Sequence, residues 1–513
     1  MGSDVDVLVV GAGPAGLTMA CDLQRRAVRY RVISEAEGGF EGSRAKGIQP
    51  RTLEVLDDLG VLADVEACST LYPKLGLHLG PFTLPKVMIP LHENSEDVPH
   101  PNTLLVAQYD TDAALRGRLA GLGGAVAYGT RLVSYVGAPD GVVATLQHSD
   151  GAVEEVTARF LVGADGGGST VRGVSGIGFP GTTDEQDRMI VADLALEGLS
   201  RDRWHIWPRK SGRFMALCPL PGGNFQLMLR LRPDEKAGLA QDAIEALITS
   251  FVGRGRIKIR RIHWTSVWRP NIRLAERYRA GRVLLIGDAA HVHPPTGAQG
   301  MNTGIQDAYN LGWKLAQVLA GAKESLLDTY EAERRPVAAR VLGLSSEIYA
   351  TMGSRPLTGA TRGDEERQLA LSYAGGPLAG TAGTTSSGLR AGDRAPDASY
   401  TDAEGRAARL HDAFRGPHFT LIALGDGAAA AAAALHWPDA GAPLARIVVP
   451  EAPDGLGRIY GIARPTQILV RPDGYIGSIT QGPFQPGHDH QQFLALVSPG
   501  PSAIAGPAAR RDV

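Results

Sequence analysis

Short runs of consecutive apolar residues, each closing on glycine or an acidic residue, organise the first part of this chain. Asp4 to Val10 (DVDVLVV) is the first of them. Continuous apolar character, as opposed to alternation, predicts a strand covered on both faces. Leu17 to Arg26 then takes helical character, and Tyr30 to Ser34 predicts a second strand that ends at Glu35. Two later runs, Phe160 to Asp165 (FLVGAD) and Gly281 to His291 (GRVLLIGDAAH), predict further buried strands, with a helix from about Thr303 to Leu319 after the second. The middle of the chain has a different rhythm. Met189 to Leu196, Arg203 to Trp207, Arg213 to Leu220 and Phe225 to Leu231 read as successive strands separated by turns such as Pro221-Gly222-Gly223. Alternation sets Phe214, Ala216 and Cys218 on one face and Met215 and Leu217 on the other, without deciding which face lines a pocket.

Beyond about Leu344 the pattern weakens. Met352 to Ser387 is rich in Gly, Thr and Ser and predicts helix remnants and a linker. After Leu389, short apolar strands at Phe419 (FTLIAL), Ala445 (ARIVVP) and Ile468 (ILVRPDGYIGSI) surround an alanine-rich helical stretch from Ala428 to Ala434. Residues 498–513 read as a flexible tail. A length of 513 residues with 43% hydrophobic content supports a large core and two or three domains. A net charge of −2, without blocks of like charge, argues against a nucleic-acid partner. Cys21, Cys68 and Cys218 form no C-x-x-C pair, which argues against a disulfide framework, a zinc site or dithiol chemistry and fits a reducing cytoplasm. His291 and His293 stand as H-x-H with no second ligand cluster, so no metal is expected. No secretory leader and no apolar run of about 18 residues is evident, so no membrane segment is expected either.

Gly11, Gly13 and Gly16 supply G-x-G-x-x-G between the first strand and its helix. A dinucleotide site needs the first glycine for the turn, the second for backbone approach to a pyrophosphate and the third for close helix packing. The phosphates then meet the positive end of a helix dipole. Glu35 stands where a carboxylate accepts from an adenosine ribose, and its charge disfavours a 2′-phosphate, which selects FAD or NAD over NADP at this position. FAD is favoured by the later runs. A strand ending at Gly287 and Asp288 can aim a carboxylate at a ribityl hydroxyl, and the helix after Asn302 can present its positive end to the flavin N1–C2=O edge.

Together GAGPAG at Gly11, LVGADGGGSTVR at Leu161 and GRVLLIGDAAHVHPPTGAQGMN at Gly281 resemble the three fingerprints of class A flavoprotein monooxygenases, the para-hydroxybenzoate hydroxylase fold. SRAKGIQPRTLEVLDDLG from Ser43, VAQYDTDAALRGRL from Val106 and YEAERRPVA from Tyr330 are also family-like, and the pattern is most similar to aromatic polyketide hydroxylases and phenol-hydroxylase-like enzymes. The resemblance implies an α/β chain: a Rossmann-like FAD-binding domain with an inserted antiparallel β-sheet substrate domain, plus a C-terminal thioredoxin-like domain. The expected divisions are 1–176 and 276–345 for FAD, 177–275 for the substrate sheet, 346–388 for a helix and linker, and 389–497 for the thioredoxin-like part, which has no cysteine. By the same resemblance the FAD would be held by Gly11, Gly13, Pro14, Ala15, Gly16, Glu35, Ala36, Arg44, Gln108, Leu132, Asp165, Gly287, Asp288, Pro295, Gly300, Met301 and Asn302. Asp165 would tie the flavin motif to the nicotinamide-binding surface. Ala298 replaces a frequent glycine and Asp112 a frequent glutamate.

The implied reaction is hydroxylation of a polycyclic, polyketide-like phenol or quinone of the kind met in antibiotic biosynthesis. NADPH, with NADH as the alternative, would reduce the flavin, and O2 would add at its C4a as a hydroperoxide attacked by the electron-rich ring. No catalytic base is legible. Trp204, Trp207, Phe214, Phe225, Met228 and Pro295 are candidate pocket walls, although each serves equally well as ordinary packing. The sheet segments carry no cation suited to a small carboxylate unless Arg203, Arg213 or Arg230 turns inward, which favours a large flat ligand. Two other readings stay open: Baeyer–Villiger oxygen insertion on a related ketone, and a flavin-bearing binding protein without turnover. The expected partner is a small aromatic molecule, with a homodimer left open.

Overall fold

The computed structural model describes residues 3–209, 212–294, 298–354, 363–379, 384–402, 404–449, 454–485 and 490–498. Pro295 and the tail expected to be flexible, except for Ser498, lie outside them. The first apolar run forms the strand Val5–Val10, which lies between Tyr30–Ile33 and Val153–Gly163, both parallel to it. Val283–Leu285 extends the parallel order beyond Val153–Gly163, and Val126–Ala127 extends it beyond Tyr30–Ile33. Val7, Leu8 and Val9 are 0% exposed. Helices Pro14–Arg25 and Gly300–Leu319 pack together over this sheet, which explains the continuous apolar runs. Val153–Gly163 is longer than its apolar core Phe160–Gly163 suggested, because its first half pairs antiparallel with Gly141–His148.

The second sheet has seven strands, in the order Lys258–Trp268, Met189–Glu197, Phe225–Arg230, Phe214–Pro219, Arg203–Pro208, Lys74–Leu79 and Phe82–Lys86. All neighbours are antiparallel except Arg203–Pro208 and Lys74–Leu79. Two of its strands thus come from residues 74–86, inside the segment assigned by sequence to FAD binding. One face is covered by helix Gln241–Val252, whose Ile244, Ile248 and Phe251 pack with Met215, Leu217, Phe225, Leu227 and Leu229. The opposite face, carrying Val191, Gln226 and Met228, looks onto a cavity.

The C-terminal part is a four-stranded sheet, Leu444–Val449 parallel to Phe419–Leu424, then Thr466–Val470 and Ile476–Gln481 antiparallel, with helix Ala428–Ala434 in the crossover. This is the thioredoxin-like order. A buried ionic cluster fastens it to the rest. Arg471, 0% exposed at its side chain, donates to Glu333 at 2.6 Å and to Asp473 at 2.9 Å, while Lys314 donates to Glu333 at 2.7 Å. Arg394 clamps Glu54, which also takes Arg51 at 2.7 Å. Buried pairs of this kind add little net stability, but losing one partner leaves a charge in a dry interior.

Candidate active site

A cavity of about 580 Å3 lies between the parallel sheet and the inner face of the seven-stranded sheet. At its dinucleotide end the three glycines have separable roles. A Cβ on Gly11, at φ +107°, would lie 2.2 Å from the Ala164 carbonyl oxygen, and one on Gly16 would lie 1.9 Å from that of Gly11. Both close-pack backbone. Gly13 differs, since a Cβ there meets nothing within 4 Å. It precedes helix Pro14–Arg25 with no side-chain cap, so the open space faces unsatisfied N–H groups and a positive dipole end. Pro14, Ala15 and Arg44 also line the cavity, and Arg44, over the Phe40 ring at 5.3 Å, makes no ion pair among the described residues. Gln108 anchors the same wall by accepting from the Ala45 N–H at 3.2 Å.

The turn after Val283–Leu285 supplies Gly287 and Asp288. Asp288 projects, exposed, into the cavity and makes no hydrogen bond to the described residues. An unpartnered carboxylate there suits a polyol donor. Behind it, Asp307, 0% exposed, accepts from the Gly287 N–H at 3.2 Å, from His291 Nε2 at 2.7 Å and from Arg334 Nε at 2.7 Å. Burial opposes ionisation of Asp307, but Arg334 and His291 outweigh it and hold its carboxyl below the usual range. Helix Gly300–Leu319 begins three residues earlier than the pattern suggested and brings Gly300, Met301 and Gly304 to the wall. Asn302 does not line it. Its amide donates to the Gly47 and Ala298 carbonyls at 2.8 and 2.6 Å and accepts from the Gln49 N–H at 2.8 Å, tying two wall segments together. Ala298 sits at φ +54°, the conformation that explains why a glycine is frequent there.

Other expected FAD residues are not part of this cavity's lining. Asp165 turns to Ser169 Oγ at 2.5 Å and the Val171 N–H at 3.0 Å, so it shapes the glycine loop at 166–168 and does not enter the cavity. Glu35 and Ala36 are exposed just beyond the second strand, at the end where the Ile33 carbonyl accepts from the Gly11 N–H at 2.9 Å, and Leu132 is 5% exposed in the core. Burial holds His293 neutral, with a pKa of about 4, and its Nε2 has no partner among the described residues.

On the sheet side, Trp204 and Met228 line the cavity as expected, but Trp207, Phe214 and Phe225 do not. Phe225 and Trp207 belong to the cluster under helix Gln241–Val252, and Trp207 also stacks on His78 at 4.3 Å. Phe214 stands opposite Pro208 at the end of its strand, away from the cavity. Trp264, Trp268, Tyr72, Met88 and Lys46 complete the wall. Sequence reasoning missed these, although the two-residue spacing of Trp264, Ser266 and Trp268, which puts them on one strand face, is a readable signal. Arg203, Arg213 and Arg230 are not on the wall and pair with Asp202, Glu235 and Asp187 at 2.5, 2.8 and 2.7 Å. Among the described residues no His/Cys/Asp/Glu group could hold a metal ion, and no helix is long and apolar enough to cross a membrane.

The space at Gly13, the free Arg44 guanidinium and the unpartnered Asp288 together fit FAD. Comparison with known proteins agrees. Residues 4–345 match a family described as FAD binding domain, and residues 389–493 one described as aromatic-ring hydroxylase, C-terminal. A flavin-dependent monooxygenase of Mycobacteroides abscessus is 40% identical over 504 residues, covering 96% of this chain and 99% of the relative. A 12-dehydrotetracycline 5-monooxygenase/anhydrotetracycline 6-monooxygenase of Streptomyces rimosus is 34% identical, covering 92% and 94%. A ternary complex of aklavinone-11 hydroxylase with FAD and aklavinone superposes with a TM-score of 0.82 at 27% identity, covering 97% of this chain and 99% of that one.

Proposed function

This chain belongs to the FAD-dependent aromatic-ring hydroxylases, and from that membership we propose that it hydroxylates a polycyclic phenol or quinone at the expense of NADPH. It is a flavin monooxygenase that uses FAD, O2 and a reduced nicotinamide. When bound, FAD supplies two-electron reduction by the nicotinamide and activation of oxygen.

The observation that carries the substrate class is the wall itself. Val191, Met228, Trp204, Trp264, Trp268 and Met88 form an apolar, indole-rich surface on the side facing Gly300 and Met301. Such a surface binds a large flat ligand through area and stacking. The three arginines that could have anchored a small carboxylate are neutralised outside the cavity. Relatives named for tetracycline intermediates and for aklavinone support the same reading.

The protein's own contribution is placement. Backbone at Gly13 and helix Pro14–Arg25 would hold the pyrophosphate, Arg44 would neutralise it and Asp288 would accept from the ribityl chain. The N-terminus of helix Gly300–Leu319 would favour negative charge on the reduced ring. The tryptophans exclude water from the reacting centre.

The test uses the FAD-loaded enzyme, NADPH or NADH, labelled oxygen, and a panel of hydroxyanthraquinones, anhydrotetracycline and para-hydroxybenzoate. Label in a new hydroxyl of a multi-ring substrate, with NADPH consumed faster than NADH, is the expected result. Label in a lactone would mean Baeyer–Villiger insertion, silence with every substrate a binding protein, and tight coupling only with para-hydroxybenzoate a small-substrate enzyme.

A further inference from the structure

Lys46 is set apart on the sheet-side wall as a cation that no carboxylate neutralises. Of the other cations lining the cavity, Arg269 pairs with Glu185 and Arg367 with Asp364, each at 3.0 Å, and Arg44 lies at the dinucleotide end. Among the described residues Lys46 has no such partner. Its Nζ donates to the Gln226 side-chain oxygen, lies 3.6 Å from Met228 Sδ and sits 4.8 Å from the centre of the Trp204 ring. It is also held firmly. Gln226 donates onward to the Ser43 carbonyl, and the Ser43 N–H is taken by Asp193 at 2.7 Å, so this polar string fixes the amide that positions the ammonium. The Tyr72 hydroxyl fixes the same segment by donating to the Lys46 carbonyl at 2.9 Å.

The neighbourhood is short of acceptors. The Trp204 indole N–H has no hydrogen-bond partner among the described residues, and Met228 sulfur is a weak acceptor. An ammonium has three donors, and here one is spent on an amide oxygen and one on a thioether, which leaves room for one oxygen atom from the cavity. We propose that Lys46 receives the ionised phenolic oxygen of the substrate, and so sets which edge of the aromatic system is offered for hydroxylation. This rests on the polycyclic-phenol reading above and names the group by which that substrate is recognised.

Three physical points support a phenolate over a carboxylate. A carboxylate brings two oxygens and calls for a planar two-pronged donor, whereas Lys46 is a point charge. The surface beside the ammonium is aromatic, so a ring can lie along Trp204 with its oxygen at Nζ. Ionisation also enriches the ring in electrons, which attack on an electrophilic oxygen requires. The phenol's proton leaves to bulk water on binding, and no protein group needs to take it. The titratable groups facing Lys46 are compatible with this. Burial lowers the Lys46 pKa, with Cys218 and Asp193 opposing, and an incoming anion supplies the missing counter-charge. Burial pushes the Cys218 thiol up to about 12, so it stays neutral, and raises Asp193 to about 6 with its charge turned toward Ser43.

The experiment titrates the full-length, FAD-loaded, oxidised protein with 1,8-dihydroxyanthraquinone, whose phenolate absorbs at longer wavelength than oxidised flavin. In the wild type the bound probe should ionise about 1–3 pH units below the free probe, which is at least about tenfold tighter binding of the anion. Lys46→Met should abolish that shift, Lys46→Arg should keep part of it, and 1,8-dimethoxyanthraquinone, which cannot ionise, should bind wild type and Lys46→Met alike. Flavin absorbance and melting temperature confirm that each variant retains its site. Equal ionisation of the probe in wild type and Lys46→Met overturns the assignment, as does equal loss of the dimethoxy and dihydroxy probes. 4-Nitrophenol separates the two readings. If it ionises in a Lys46-dependent way while the anthraquinones do not bind, the lysine assignment stands and the polycyclic reading falls. If nothing binds, both fall. Lys46-dependent binding of benzoate in preference to 4-nitrophenol overturns the phenolate assignment alone.

Discussion

Replacing Asp307 by Asn exchanges one carboxylate oxygen for an amide nitrogen and changes almost no volume, yet it should disturb both stability and the flavin site. Asp307 receives the Arg334 guanidinium at 2.7 Å, His291 at 2.7 Å and the Gly287 N–H at 3.2 Å, with Asp307, His291 and Arg334 all 0% exposed. An asparagine can still accept from Gly287 but cannot neutralise Arg334, whose remaining partners are the Tyr373 hydroxyl at 2.9 Å and the Thr303 carbonyl at 3.1 Å. Leaving one member of a buried ion pair uncompensated costs about 3–5 kcal/mol. At about 2 °C per kcal/mol for a large chain, the melting temperature should fall by roughly 6–10 °C. The turn that carries Asp288 is tied to Asp307 through Gly287, so FAD should also dissociate more readily. Differential scanning calorimetry and flavin release by ultrafiltration measure the two effects. The double variant Asp307→Asn/Arg334→Met removes the orphaned charge and should recover part of the loss, a non-additive outcome. A melting point within 1 °C of wild type with unchanged flavin retention would refute the reasoning, and so would strict additivity of the two substitutions.

Further outcomes follow from the same geometry. Gly13→Val should fold normally, because a Cβ there meets no protein atom within 4 Å, yet purify without FAD, since the side chain takes the pyrophosphate's space; a yellow, fully loaded variant would defeat the assignment. Gly11→Ala should instead destabilise the fold itself, read as a lowered melting point, because its Cβ strikes the Ala164 carbonyl at 2.2 Å. Truncation before residue 389 strips Arg394 from Glu54 and Arg471 from Glu333, so the remainder should aggregate or lose its cooperative melt; an intact transition at the full-length temperature would contradict this. Asp112, 0% exposed, is pushed by burial from 3.8 to about 7, with Arg116 and Gln108 opposing. The native state therefore binds the extra proton between those values, stability falls as pH rises through that window, and Asp112→Asn should recover as much as about 4 kcal/mol above it and nothing below it, measured by denaturant melts of the FAD-loaded protein.

What was legible in the sequence was local. Gly11, Gly13 and Gly16 have separate backbone duties within one turn, and the apolar runs around them declare buried parallel strands. The inner face of the seven-stranded sheet was not legible, because alternation names two faces and leaves open which is covered. The amphipathic helix Gln241–Val252 decides it by burying Met215, Leu217 and Phe225, and its Ile244, Ile248 and Phe251 spacing was the available clue. Lys46 was overlooked for a related reason: it lies in a segment read as flavin-binding, and its contacts Gln226 and Met228 are 180 and 182 residues away. Asp307 and Arg334 carry no local signal in the sequence, because only folding brings them together with His291.

The ionic cluster that seats the C-terminal part has a consequence for how the chain is made. Glu333 and Lys314 belong to the flavin-binding part, but the arginine that completes their charge balance, Arg471, follows Glu333 by 138 residues. At a synthesis rate of about 5–20 residues per second, a nascent chain waits about 7–28 s between the two. During that interval Glu333 has, among the described residues, Lys314 and Asn310 as partners, and the surface that Trp313 presents to Phe419 is bare until the C-terminal sheet emerges. The flavin-binding part is thus sealed only after Arg471 and the C-terminal sheet have emerged. Ribosome-bound chains arrested before and after Arg471 should differ sharply in protease resistance at the 314–333 segment.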